Sequence, residues 1–221
     1  MVHRSRTSAL GGLLAIALGM VACDRAETAA PIPPAPVSPE AELTTPPPPP
    51  TGAFIALLSP EQTAEIRTLG VAIVVPTVIP PGFRVEAVET GDAGVVGGKI
   101  YTVLYRDLDN RCFLVEFTEG GVGGSPATEY RLPIKPPLFE RDDYGLNYGE
   151  FLDADSRSQA DGPELMTDWL EGEDGFYRIA GASYINTTRS LPQPCQDVTP
   201  EEAVQLAESM AVLTQDISGD G

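Results

Sequence analysis

The sequence predicts an α+β fold: a single antiparallel β-sheet domain with a short N-terminal helix and a C-terminal helix packed on the sheet. Three observations predict it. Segments rich in β-branched and aromatic residues recur from Val71 to Ile185, separated by clusters of Gly, Pro, Asp and Asn. Helix-start chemistry stands near each end of this region, at Ser59-Pro60-Glu61-Gln62 and at Thr199-Pro200-Glu201-Glu202. All fifteen aromatic residues lie between Phe54 and Tyr184, so the core must lie C-terminal to the proline-rich segment. Residues 52–217 are long enough for one domain with a sizeable core.

Taken in order, Ser59 supplies an N-cap hydroxyl, Pro60 takes the first helical position, and Gln62 completes a capping box. Ala64, Ile66 and Leu69 give this short helix its apolar stripe, and Gly70 ends it. Val71 to Val75 reads as a buried strand stopped by Pro76. Pro80-Pro81-Gly82 is a turn, after which Phe83, Val85 and Ala87 alternate with Arg84 and Glu86 as in a half-exposed strand. Gly91 to Gly98 is a glycine-rich turn region.

Ile100 to Arg106 and Arg111 to Thr118 are predicted to form a hairpin across Asp107-Leu108-Asp109-Asn110. On the return strand Phe113, Val115 and Phe117 share one face, while Cys112, Leu114 and Glu116 share the other. Both faces are partly apolar, so the hairpin should be central and covered on each side. Prolines 133, 136 and 137 demote Glu129 to Phe139 to an edge strand or extended loop. From Asp143 to Phe151, Tyr144, Leu146 and Tyr148 alternate with Gly145, Asn147 and Gly149. Such a glycine face admits a backbone or ligand, or more ordinarily a packed helix. Leu165 to Leu170 and Phe176 to Ile185 are read as two further strands around a turn at Gly172-Glu173-Asp174-Gly175. Thr199 and Glu202 form the second capping box, and Ala203, Leu206, Ala207, Met210 and Leu213 follow at helical spacing. Residues 218–221 are expected to be a loose tail.

Ahead of the domain, Met1 to Arg6 carries His3, Arg4 and Arg6 without an acid, and the fourteen residues from Ala9 to Ala22 carry no charge. As a helix that run would span ~21 Å, well short of a ~30 Å hydrocarbon core, so residues 1–22 read as a secretory signal peptide. From Asp24 to Thr51, ten of 28 residues are Pro, with Pro46 to Pro50 consecutive. Residues 23–51 therefore read as an extended polyproline-type linker, with a reach of up to ~85 Å at ~3.1 Å per residue. Met20-Val21-Ala22-Cys23 resembles the lipobox of bacterial lipoproteins. The resemblance implies that Cys23 is lipidated after cleavage. It also implies an N-terminal lipid in a membrane and a domain facing the periplasm or exterior of the cell envelope. Asp24 is similar to the inner-membrane retention signal of some such proteins.

Cleavage would remove the lone histidine and leave 32 acidic residues against 12 basic ones, a formal charge of −20. That charge opposes nucleic-acid binding and favours basic partners, cationic ligands or divalent metals, although acids also simply keep an exported domain soluble. Without histidine, Ser-His-Asp and Cys-His catalysis and His-ligated metal centres are excluded. With Cys23 lipidated, Cys112 and Cys195 remain as one pair in an oxidising compartment. A disulfide is expected, closing ~80 residues and contributing ~4 kcal/mol, with two separate buried thiols as the competing reading. Gly94 to Ile100 lacks the spacing and the hydroxyl of a phosphate loop.

Asp153, Asp155, Asp161 and Glu164 match the first, third, ninth and twelfth positions of a calcium loop. Arg157 stands at the fifth position and Ser158 where the turn glycine belongs, so a solvated acidic loop is the plainer reading. Asp107, Asp109 and Asn110 form a second oxygen-rich turn, in residue types that favour turns without metal.

Two stretches, Val75-Pro76 to Gly82-Phe83 and Pro200-Glu201-Glu202-Ala203 to Met210, resemble an uncharacterised class of bacterial extracytoplasmic domains similar to small lipoprotein-carrier-like α+β domains. That resemblance transfers no catalytic residue. The expected function is a non-enzymatic binding or scaffolding domain in the cell envelope, with an envelope protein partner and no cofactor. One alternative is a carrier of an apolar ligand in a sheet-side cavity lined by Phe113, Phe117, Tyr144 and Tyr148. Another is a carboxylate-dependent hydrolase.

Overall fold

The computed structural model describes residues 55–92, 97–159 and 162–213, with the backbone alone at Gln159. The signal peptide, Cys23, the proline-rich linker, residues 93–96, Asp161 and the C-terminal tail lie outside the described residues. The strands are β1 (Val74–Pro76), β2 (Arg84–Asp92), β3 (Lys99–Arg106), β4 (Arg111–Thr118), β5 (Thr128–Pro133) and β6 (Gly145–Phe151). They continue with β7 (Glu164–Thr167), β8 (Leu170–Glu171), β9 (Phe176–Ala180), β10 (Gln196–Asp197) and β11 (Met210–Val212). The helices are α1 (Pro60–Arg67), α2 (Ala154–Gln159), α3 (Ala182–Thr188) and α4 (Pro200–Glu208), after a 3₁₀ turn at Ile55–Leu57. The domain is thus mostly β with some helices.

The expected hairpin sits inside the sheet. β3 and β4 pair antiparallel from Ile100↔Thr118 to Arg106↔Cys112. The sheet path is β2-β3-β4-β9-β7-β6-β5, and β5, which ends at Pro133, takes the edge position. Asn110 adopts φ 62°, a left-handed conformation that Asn tolerates, and it turns the chain back at the hairpin tip. The Asp107 carboxylate accepts from the N–H groups of Asp109 and Arg111, each at 2.9 Å, and from Arg111 Nε at 2.7 Å. Burial pushes this carboxyl up, but those donors outweigh it and hold it below the usual range. The second oxygen-rich turn is therefore spent on its own backbone and on Arg111.

One face of the hairpin builds the main core. Phe113 stacks on Tyr105 at 4.5 Å and Phe117 on Tyr101 at 5.0 Å between ring centroids. The core tyrosines spend their hydroxyls on the first segment of the domain: Tyr101 Oη donates to the Val74 carbonyl, and Tyr105 Oη to that of Ala56. Ile66 of α1 and Ala203, Leu206 and Ala207 of α4 complete this layer. Both capping boxes form, at Ser59/Gln62 and Thr199/Glu202. Glu202 also pairs with Arg111 Nη1 at 3.0 Å, which ties the start of α4 to the hairpin. On the opposite face Leu104, Cys112 and Leu114 pack with Ala180, Ala182, Ile185 and Cys195 under α3.

Several expectations need correction. The sheet is not single: β1 pairs with β11 in a separate two-stranded sheet that joins the first and last described strands. Nor is the large sheet wholly antiparallel, because β10 pairs parallel with β4. The C-terminal helix ends at Glu208 and does not reach Leu213. Ser209 leaves the helical conformation at φ −96°, ψ 4°, and Met210 enters β11. The spacing of Met210 and Leu213 fits a helix locally, but pairing with β1 prevails. Phe176 to Ile185 is strand β9 followed by α3, not one strand. The N-terminal cap of α3 comes from far along the chain: Asp197 Oδ1 accepts from the Ala182 N–H at 2.5 Å. A side chain at Gly181 would overlap that carboxylate, so Gly181 is needed for close approach. The glycine face of β6 is covered not by a helix but by the Arg131 guanidinium, which lies where a Cβ at Gly145 would be.

The Cys112–Cys195 disulfide forms as expected across a sequence separation of 83. It joins the start of β4 to the segment entering β10. Asn186 of α3 holds the same segment, accepting from Cys195 N–H at 2.8 Å and donating to its carbonyl at 3.1 Å. Replacing both cysteines by Ser is expected to lower the unfolding free energy by about 4 kcal/mol. Denaturant unfolding checks this, and a loss below about 1 kcal/mol would contradict a stabilising crosslink.

Candidate functional site

Two concave surfaces carry clustered chemistry, and they meet at Arg141, Tyr144 and Glu171. The first is a cavity of about 620 Å³ beside the main core. Its floor is Phe139, Tyr144 and Tyr177, with Phe139 5.7 Å from Tyr177 and 6.4 Å from Tyr144 between ring centroids. Tyr177 comes from β9, Tyr144 immediately precedes β6, and Phe139 lies just beyond the Pro136-Pro137 pair. Ala72, Val74 and Val212 add apolar walls.

The rim is acidic: Glu140, Glu171, Glu173 and Asp174 all line the cavity mouth. Asp174 accepts from the Ala72 N–H at 2.6 Å, and the Tyr144 hydroxyl accepts from the Glu171 N–H at 2.9 Å. Burial first, and the Asp174 charge second, push the Tyr177 hydroxyl well above its ordinary pKa. The cavity already attracts one cation of its own. The Arg141 guanidinium lies 5.1 Å over the Tyr144 ring and pairs with Asp143 at 2.8 Å. Aromatic faces below and carboxylates above make this a place for positive charge.

The second surface is a polar groove on the α3 side. Residues facing this side form a row across the strands: Glu116 on β4, Arg178 on β9, Met166 on β7, Asn147 on β6 and Arg131 on β5. Arg178 Nε donates to Glu116 at 2.6 Å, and its guanidinium lies 4.1 Å from the Trp169 ring and 4.3 Å from that of Tyr184. Arg131 holds Asp168 with two bonds, at 2.6 and 2.9 Å. Trp169 walls two adjoining clefts, about 240 Å³ beside Glu164 and Ser183 and about 320 Å³ beside Arg131 and Asp168.

Glu164 is only 6% exposed. Its Oε1 accepts from the Leu165 N–H at 3.0 Å, and among the described residues its carboxylate makes no other hydrogen bond. Burial raises its pKa and the Asp197 charge adds to this, against the opposing Leu165 N–H and Arg178. Burial pushes Asp168 up too, but Arg131, Asn147 and the Gly145 N–H outweigh it and hold that carboxyl below the usual range. Perturbed carboxyls in a cleft mark a candidate site.

The structure disperses the residues that the sequence singled out. Phe113 and Phe117 are wholly buried in the core, Tyr148 stacks on Tyr130 near the β5 edge, and only Tyr144 reaches the cavity. The four aromatics expected around one sheet-side cavity are therefore not brought together. Of the calcium-loop residues, Asp153 accepts from the Ser156 N–H at 2.7 Å ahead of α2, and Asp155 lies in the first turn of α2. Glu164 faces the groove from β7, and Asp161 lies outside the described residues. Among the described residues no group of three His, Cys, Asp or Glu side chains could hold a metal. Sequence reasoning missed Trp169, Arg178, Phe139 and Tyr177. The lone tryptophan of the chain, beside Asp168 at a strand end, was the available signal for the groove.

The raised Glu164 pKa has a definite sign. The folded state favours the neutral carboxyl, so this stability is fully present below the ordinary carboxylate range and is lost as pH rises through the raised value. Glu164→Gln is therefore expected to be more stable than the parent at pH 7, with the difference vanishing near pH 4. Thermal unfolding across that range checks this, and a loss at pH 7 that fades toward pH 4 would show that the ionised carboxylate is needed for folding.

Among the described residues no helix is long and apolar enough to cross a membrane. No protein-family model matches the chain, and no curated protein or solved structure matches it.

Proposed function

We propose that the chain is a lipid-anchored protein of the cell envelope whose domain is a non-enzymatic binding or scaffolding module. In this reading the aromatic cavity receives a cationic side chain of an envelope protein partner. The observation that carries it is the cavity itself, where Phe139, Tyr144 and Tyr177 lie beneath four rim carboxylates. Arg141 over Tyr144 supports the choice of a guanidinium, because it displays the geometry within the chain. The strongly acidic composition would steer a basic partner toward the domain. The lipobox-like Met20-Val21-Ala22-Cys23 and the proline-rich segment support a tether. Two or more acyl chains anchor a protein stably where one does not.

Neither alternative fits as well. An apolar carrier needs an apolar cavity, yet Phe113 and Phe117 are consumed by the core and this rim is acidic. A two-carboxylate hydrolase needs carboxyls ~5–9.5 Å apart. Glu164 and Asp168 have opposite pKa shifts, but they line different clefts and Asp168 is held by Arg131.

Mass spectrometry of the membrane-extracted protein is expected to find Cys23 as the first residue and acylated, and Cys23→Ala should release the protein from the membrane fraction. The cavity is tested with an arginine-bearing peptide and the full chain. Reversing Glu171 and Glu173 to Lys together is expected to weaken binding at least ~10-fold, as is raised salt. Unchanged affinity would remove the cavity from the account.

A further inference from the structure

We propose that the groove over Trp169, whose second cleft meets the acidic cavity at Arg141, Tyr144 and Glu171, is a binding site for an uncharged saccharide of one or two sugar units. The groove has what a polyol ligand requires: an aromatic wall, hydrogen-bonding groups that both donate and accept, and guanidinium groups already paired with carboxylates. Trp169 supplies the wall and is shared by the two adjoining clefts. Each is small, about 240 and 320 Å³, which suits single rings in succession more than one bulky ligand.

Glu164 makes the groove a built site. It is 6% exposed, lines the 240 Å³ cleft, and uses one oxygen on the Leu165 N–H. Its other oxygen has no hydrogen-bond partner among the described residues. That oxygen is not sealed from solvent, since the buried side-chain polar atom without a partner among the described residues is Arg106 Nε, so a ligand hydroxyl can take the place of water on it. Because burial favours its neutral form, this group can donate as well as accept. Ser183 lines the same cleft, and Asp168 and Arg131 line the next.

Charge selects against ionic ligands. Arg178 is paired with Glu116, and Arg131 is paired with Asp168. An anion would meet Asp168, Asp143 and Glu171 and guanidinium groups that already hold carboxylates, and a cation would meet those guanidinium groups. A neutral polar ring meets neither penalty. A side chain at Gly145 would overlap the Arg131 guanidinium, so this glycine leaves the room in which Arg131 pairs with Asp168.

The chain contains one tryptophan, so its fluorescence reports on this groove alone. The full chain, kept in a detergent without a sugar head group, would be titrated with neutral mono- and disaccharides to about 100 mM, and with glucuronate and glucosamine as charged probes. A saturable change is expected for at least one neutral sugar, with weaker or no response to its charged counterparts. Glu164→Leu fills the site with an apolar side chain of similar size, and a melting curve verifies that the variant is folded. It should weaken sugar binding at least ~10-fold. Preference for a charged probe would overturn the ligand class. Failure of every sugar, or unchanged binding in a folded Glu164→Leu variant, would overturn the site.

Discussion

The structure depends on burial of both faces of the β3–β4 hairpin. Alternation along β4 sends Phe113, Val115 and Phe117 into the main core and Cys112 and Leu114 into the layer under α3. A hairpin covered on one side only would leave one of these rows in water. The two-sided demand sets the rest of the architecture: α1, α4 and the β1–β11 pair serve one face, while α3 and the disulfide serve the other. It also sets where the groove begins. α3 has seven residues, enough to cover the Cys112 and Leu114 positions. At Glu116 the same face turns polar, and the ion pair to Arg178 opens the row of charged and amide groups that continues to Arg131.

The ends of the domain are held by groups that each do two jobs. Glu202 closes a capping box and receives Arg111. Asp107 organises the hairpin turn and fixes the same arginine. Asp197 caps α3 while its backbone extends the sheet in β10. Several acids of this strongly acidic chain are thus spent on backbone N–H groups and guanidinium groups. At the cavity rim Asp174 is likewise spent on the Ala72 N–H, while Glu140, Glu171 and Glu173 face solvent, so each acts weakly, and only their convergence over an aromatic floor gives them a role.

The legible parts of the fold were those whose signals are local. Period-two alternation and the Asp107-to-Asn110 turn placed the hairpin almost to the residue, and both capping boxes formed where Ser59 and Thr199 stand. The illegible parts depend on distant partners. Ala182 to Thr188 contains an aromatic and three β-branched residues, poor helix formers, and it becomes α3 with a cap supplied fifteen residues later by Asp197. Met210 fits a helix stripe and a strand equally well, and only β1 decides between them. Alternation placed Phe113 and Phe117 on the correct shared face, but it cannot tell a closed core from an open cavity. Glu164 drew notice through a calcium-like spacing, yet its chemistry comes from burial, which spacing does not encode.

The most direct measurement of the hairpin's role is native-state hydrogen exchange. Two-sided burial predicts that the Tyr105, Phe113 and Val115 amides exchange only through global unfolding and are the slowest in the domain, while those of the edge strand β5 exchange through local opening. Hairpin amides that exchange as fast as those of β5, or that open before the β6–β7 pair, would contradict the account.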